Sequence, residues 1–149
     1  MKKIKTALAI LLAALAIISL SACSGTSYKD GEYSAQLSEF SQNGWKDIVE
    51  ITIKDGKIAK INWDAVYKDD SIPLQKKQYS KSGLYGMLAA GSIAEWYDQA
   101  VAAEQYVLKN GIDSLKLDAD GYTDAIAGCT IHINELETLI RECLKQAKQ

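Results

Sequence analysis

The sequence predicts an α+β fold in which two main helices pack on one face of a small antiparallel sheet. The pattern of residues 47–66 predicts a β-hairpin, because apolar residues alternate into and out of the turn signal Asp55-Gly56. Apolar residues then recur at helical spacing over 92–110 and again over 134–147. Strands followed by helices favour an antiparallel sheet with its helices on one side.

The strands follow in chain order from local turn signals. A short strand over residues 32–37 comes directly after the turn signal Asp30-Gly31, and a polar loop over 38–44 separates it from the hairpin. The first hairpin strand alternates, and its more apolar side predicts one buried face. The residues on that side are Asp47, Val49, Ile51 and Ile53.

The helices are bounded by capping signals. Residues 67–86 predict a loop with a helical turn. Ser92, with Glu95 three residues later, has the capping-box pattern and predicts that the first main helix begins there. The pair Asn110-Gly111 supplies the end of this helix. Asn134 is expected to cap the last helix, which carries a continuous apolar stripe.

The N-terminus has the layout of a secretory signal peptide. Lysines begin the chain, an apolar stretch follows over residues 7–18, and small residues then lead to Cys23. The spacing resembles a bacterial lipobox, in which the cysteine carries acyl chains and becomes the first residue of the mature protein. The expected parts are a signal peptide over 1–22, the lipidated cysteine with a short tether over 23–31, and a domain over 32–149.

A single transmembrane anchor is the rival interpretation of this segment. A spanning helix needs about 20 apolar residues, whereas residues 7–22 are fewer and end in serines. Two or more acyl chains give stable attachment without a spanning helix. We therefore expect a lipid-anchored protein on the extracytoplasmic face of the cell membrane.

Composition excludes several classes of function. The 17 Lys and Arg against 19 Asp and Glu give a net charge of −2, and loss of the three leader lysines takes it to −5. Nucleic acid is not expected as a partner, because its phosphates need basic patches. The chain has one histidine and no nucleophile-elbow motif, so hydrolase chemistry is not expected. Nor is a metal site, because the alternating aspartates near residue 120 lack the complete calcium-loop pattern.

Cys129 and Cys143 are not expected to form a disulfide. Cys143 lies nine residues into the last predicted helix, and nine helical residues rise about 13 Å. A disulfide needs Cα atoms about 5.5 Å apart. We expect Cys143 to be a small buried residue.

Two segments together resemble the FMN-binding domain of bacterial extracytoplasmic flavoproteins. One runs from Asp30 through the hairpin, and the other is Asp-Ala-Ile-Ala-Gly-Cys-Thr at 124–130. The chain looks closest to small membrane-anchored lipoproteins of the major membrane immunogen type. In the family, the second segment ends in Ser-Gly-Ala-Thr, and a separate flavin transferase esterifies the threonine hydroxyl with the FMN phosphate.

The resemblance implies a cofactor site in the second segment. Asp124 matches the family aspartate, Gly128 the glycine, and Thr130 the threonine that accepts FMN. Ala127 replaces a hydroxyl residue and Cys129 replaces alanine. Trp45, Trp63 and Trp96 could stack on the isoalloxazine ring or serve as core aromatics, and the sequence leaves both roles open.

These features lead to two expectations of function. The first is a membrane-anchored electron carrier, not an enzyme, which holds FMN, covalently at Thr130, and has a flavin transferase and a redox protein as partners. The alternative is a cofactor-free surface lipoprotein that acts as a binding or structural module or as an antigen. The replacements at Ala127 and Cys129 favour this alternative.

Overall fold

The computed structural model describes residues 28–148, and the predicted α+β class is confirmed. The signal peptide over 1–22 and the lipidated Cys23 lie outside the described residues. The elements, in chain order, are the strands β1 (Gly31–Gln36), β2 (Trp45–Lys54) and β3 (Lys57–Tyr67), the helices α1 (Lys76–Lys81) and α2 (Trp96–Asn110), a 3₁₀ turn (Ile112–Ser114), and the helix α3 (Asn134–Gln146).

The three described strands form an antiparallel sheet in the order β1-β2-β3. The hairpin over 47–66 is confirmed, and the pairing continues to Trp45 opposite Tyr67. The carboxylate of Asp30 accepts the backbone N–H groups of Asp55 and Gly56 at 3.0 and 2.9 Å. The hairpin turn is thereby fixed to the start of β1.

Both main helices contribute to a single core on one face of the sheet. Helix α3 packs on β1 and β2, whereas α2 packs on β3. The core side of β2 is the side that alternation predicted, and Cys143 is fully buried against it, as expected. Cys129 and Cys143 are both free thiols, so the expected absence of a disulfide between them is confirmed. Each fully buried aliphatic side chain contributes about 1.5–3 kcal/mol.

Each outer strand of the sheet receives a side-chain contact from a main helix. On β3, the backbone N–H of Trp63 donates to the carboxylate of Glu104 from α2. On β1, the side chain of Gln146 donates to the carbonyl oxygen of Ser34 at 2.9 Å. Each contact occupies one backbone group of the kind through which sheet edges associate.

The first main helix begins later than its capping-box signal predicts. It starts at Trp96, and the carboxylate of Glu95 accepts the N–H groups of Met87 and Leu88 at 3.3 and 3.1 Å instead of reaching back to Ser92. The open N–H of Tyr97 is taken by Oγ of Ser80, which belongs to α1, at 2.9 Å. Tertiary contacts therefore replace the local cap.

The last helix also differs from its prediction by one position. Asn134 is its first residue, not its cap, and Ile133 occupies the cap position without a side-chain hydrogen bond. The backbone N–H of Ile133 donates to the carbonyl oxygen of Gly121 at 2.9 Å. This contact ties the helix start to the preceding turn.

Candidate functional site

A cavity of about 480 Å³ opens at the end of the sheet where β2 begins. It lies between this strand, the loop that leads into α2, and the segment before α3. Binding sites for small molecules typically occupy about 300–1,000 Å³. Its lining includes Asp47, Trp63, Lys76, Tyr85, Met87, Trp96, Thr130, Ile131, His132 and Glu135.

The inner wall of the cavity combines two tryptophans with a buried carboxylate. The rings of Trp63 and Trp96 meet edge to face, with their centroids 5.0 Å apart. The indole Nε1–H of Trp63 donates to Oδ2 of Asp47 at 2.8 Å. Burial raises the pKa of Asp47, although the positive charge of Lys76 and the Trp63 hydrogen bond oppose the shift.

Lys76 places a buried ammonium group beside aromatic rings. Its Nζ lies 4.2 Å from the ring centroid of Trp96, 5.3 Å from that of Tyr85 and 6.0 Å from that of Trp45. Within residues 28–148, no carboxylate oxygen lies within 4.0 Å of it. Burial lowers the pKa of Lys76, against the attraction of Asp47 and Glu135. The ring faces partly replace the lost water around this cation.

Thr130 lines the cavity and is held by a buried glutamine of α2. Its backbone N–H and its hydroxyl both donate to Oε1 of Gln99, at 2.7 and 3.2 Å. Gln99 is only 2 % exposed, and its Nε2 donates to the carbonyl oxygen of Ala94 at 3.1 Å. The hydrogen bond to the buried Gln99 therefore fixes the orientation of the Thr130 hydroxyl.

The other residues of the predicted cofactor segment do not line this cavity. Asp124 faces a separate depression, and Ala127 and Gly128 are exposed. Gly128 has a φ of 77°, a left-handed conformation that favours glycine. Cys129 is half-buried, and burial raises the pKa of its thiol. Of the predicted segment, the structure brings Thr130 to the cavity.

The inner end of the cavity and its rim offer different contacts to a ligand. Its indole rings and Met87 offer apolar contacts, and Lys76 offers a buried positive charge. Near the rim, the N–H of Thr130 is already donated to Gln99, and the first turn of α3 carries two acidic residues. A phosphodiester at Thr130 would thus depend on water, which its exposed position provides.

Comparisons with known proteins show which proteins this chain is similar to. No family model matches the sequence. A protein of Clostridium thermocellum, known from a solution NMR structure, is 38% identical, with 81% of this chain and 93% of that one covered and a TM-score of 0.60. This chain belongs to the same family as that protein.

Two more distant proteins are also similar to this chain. A curated protein of Treponema pallidum described as a 15 kDa lipoprotein is 28% identical over 130 residues, or 87% of this chain and 84% of that one. A Clostridium perfringens protein known from a crystal structure is 20% identical, with 80% of this chain and 88% of that one covered and a TM-score of 0.60. At this level of identity, the similarity shows a shared fold and nothing more.

Sequence reasoning did not single out Asp47, Lys76 or Gln99 for this site. Asp47 had a signal, because it is a carboxylate placed in register with the apolar residues of β2. Lys76 had none, since it belongs to a polar segment in which burial cannot be seen. Gln99 lies among the apolar positions of α2, where an amide is unusual.

Proposed function

We propose that this protein is an extracytoplasmic lipoprotein, anchored through Cys23, whose domain holds FMN for electron transfer. The observation that carries the cofactor proposal is the cavity that combines two edge-to-face tryptophans and a buried ammonium with a threonine hydroxyl at its rim. The lipobox-like sequence supports the anchor, as does the similarity to the Treponema pallidum lipoprotein.

Thr130 is the proposed point of covalent attachment. The step joins Oγ1 of Thr130 to the phosphorus of FMN, and it needs an activated donor such as a flavin dinucleotide. The anhydride bond of that donor breaks and AMP leaves, while the hydroxyl proton passes to the transferase. Gln99 accepts the hydroxyl hydrogen bond and thereby holds Oγ1 in place, but a neutral amide is not a base.

The remaining residues bind and orient the ring. The indoles of Trp63 and Trp96 and the side chain of Met87 exclude water from the inner end of the cavity. Bound FMN supplies reversible electron transfer, and the chain supplies binding, orientation and electrostatics. We therefore propose an electron carrier rather than a catalyst.

The test uses the full chain, exported from a host that co-expresses a flavin transferase. We expect the flavin absorbance to remain with the protein after denaturation and desalting. Thr130→Ala should lose it, whereas Thr138→Ala, a control at an exposed threonine of α3, should retain it. Flavin that stays on the denatured Thr130→Ala protein would contradict attachment at Thr130. An unlabelled wild type beside a labelled control flavoprotein would contradict covalent FMN binding.

A cofactor-free surface module is the second candidate. The observation that favours it is the pair of hydrogen bonds from Thr130 to Gln99, which uses donors that a phosphate would need. The acidic residues Glu135 and Glu137 in the first turn of α3 also disfavour an anion there. Wild type that binds neither covalent nor reversible flavin would support this candidate.

A further inference from the structure

We propose that Asp47 and Lys76 recognise the imide edge of the flavin ring, the side that carries two carbonyl groups and the N3–H between them. The inference rests on the proposed function and assigns two residues that lie outside the predicted cofactor segment. Asp47 accepts the N3–H hydrogen bond, and Lys76 donates to a neighbouring carbonyl oxygen.

The free polar atoms of both residues open to the cavity. Oδ2 of Asp47 accepts the Trp63 indole N–H, but Oδ1 accepts no hydrogen bond from any described residue. Nζ of Lys76 likewise donates to none of them. In the described part of the chain, no fully buried side-chain nitrogen or oxygen lacks a partner. Oδ1 and Nζ are therefore not fully enclosed, and the cavity is open space that both residues line.

The two charges attract each other without forming a direct ion pair. Their nitrogen and oxygen atoms are more than 4.0 Å apart, since no ion pair between them occurs within that limit. Asp47 is 8% exposed and Lys76 is 7% exposed. Burying opposite charges without direct contact costs stability. A ligand edge that offers a donor beside an acceptor satisfies both groups at once.

The flavin imide has this arrangement of atoms. Its N3–H is a donor for a carboxylate, and each flanking carbonyl oxygen is an acceptor for an ammonium group. Lys76 is held beside the rings of Tyr85 and Trp96, which line the same cavity and offer apolar contacts to the fused ring system. Charge-assisted hydrogen bonds in a site of low exposure are the strong ones, and they fix orientation as well as affinity.

Riboflavin and N3-methylriboflavin provide the test, because methylation replaces the imide donor with a methyl group, and the Asp47→Asn variant separates the lost hydrogen bond from the added bulk. Reversible binding of each is measured by fluorescence quenching on the full chain in detergent. We expect N3-methylation to weaken binding to wild type by about tenfold or more. In Asp47→Asn, which keeps an acceptor for Trp63, riboflavin should bind about tenfold more weakly and the methylation penalty should disappear.

The variant Lys76→Met tests the contact between Lys76 and the flavin carbonyl oxygen separately from that of Asp47. Methionine keeps the apolar stem among the rings. We expect the affinity for both flavins to fall by about tenfold, while the loss of affinity on N3-methylation stays the same. Glu50→Gln, on the exposed face of β2, is the control and should bind both ligands as wild type does. Circular dichroism establishes that each variant is folded.

The outcomes distinguish this inference from the proposed function. Equal affinity of wild type for the two flavins would overturn recognition by Asp47 and leave flavin binding standing. An unchanged affinity in Lys76→Met would overturn the role of Lys76. If folded wild type neither binds riboflavin nor accepts covalent FMN, the proposed flavin function is overturned, and this inference with it.

Discussion

The buried carboxylate of Asp47 serves the proposed binding site but lowers the stability of the fold. The residue occupies a core position of β2, and one of its carboxylate oxygens is left for the cavity. Burial raises its pKa above the ordinary value of 3.8, so the fold disfavours the charged form. A buried carboxylate at such a position supports the proposed binding role, because an apolar residue there would pack without this cost.

Asp47→Asn should reveal this cost as a dependence on pH. Above 3.8 and up to its raised pKa, Asp47 binds more protons in the folded state than in the unfolded state. Its contribution to the free energy of unfolding therefore falls as pH rises through that window. We expect the variant to become progressively more stable relative to wild type over this range and the difference to level off above it.

Urea denaturation of both proteins in a pH series measures the difference. Glu104, whose pKa is also raised by burial, titrates in both proteins and cancels in the comparison. A difference in unfolding free energy that stays constant with pH would contradict the raised pKa of Asp47.

At the scale of elements, local signals predicted the hairpin and missed the start of α2. The hairpin follows from alternation and a two-residue turn, both contained in one segment of sequence. The helix start depends on Ser80, which is sixteen residues before Trp96 and reaches Tyr97 only after α1 has packed against α2. Such a cap cannot be seen in the helix's own sequence.

The residues of the candidate site could be predicted from the sequence only in part. The sequence indicated Thr130 through a motif, and the structure does place Thr130 on the cavity. The aspartate and the lysine of the opposite wall, Asp47 and Lys76, come 83 and 54 residues before it in the chain. Their proximity depends on the register of the sheet and on the packing of α1, which no local pattern encodes.

Gly44→Ala should be more destabilising than Gly83→Ala. Both glycines have positive φ, 83° and 78°, so alanine strains the backbone in each by about 1 kcal/mol. A Cβ at Gly44 would also lie 2.6 Å from the ring of Tyr67, whereas nothing lies within 4 Å of one at Gly83. Tyr67 packs edge to face on Trp45, and moving it disturbs the start of β2.

Urea unfolding of the two variants measures this difference. We expect Gly44→Ala to lose about 1–3 kcal/mol more than Gly83→Ala, a range typical of overpacking. Equal losses would mean that the Tyr67 ring moves aside without cost.

At the scale of the whole molecule, the first described residue and the cavity lie toward opposite ends of the sheet. Tyr28 forms a bridge with Lys148 just after α3, and Asp30 binds the β2–β3 turn. The cavity lies at the other end of β2, around Asp47. Lys54 comes seven positions after Asp47 in this strand, or about 23 Å along it.

Cys23→Ser tests the anchor. We expect the wild type in the membrane fraction and the variant released from it, or left unprocessed, because the acyl acceptor is gone. Cell fractionation with metabolic labelling by a fatty acid follows both proteins. None of the helices among residues 28–148 has the length and hydropathy of a membrane span. Equal acyl labelling of the variant would contradict lipidation at Cys23.

The contacts on the two outer strands have a consequence for a protein anchored as proposed. Anchoring confines molecules to a plane and raises the concentration at which neighbours meet. Glu104 occupies a backbone N–H of β3, and Gln146 occupies a carbonyl oxygen of β1. A strand from a neighbouring molecule would have to displace one of these side chains to pair along either edge, so both contacts disfavour extension of the sheet under crowding.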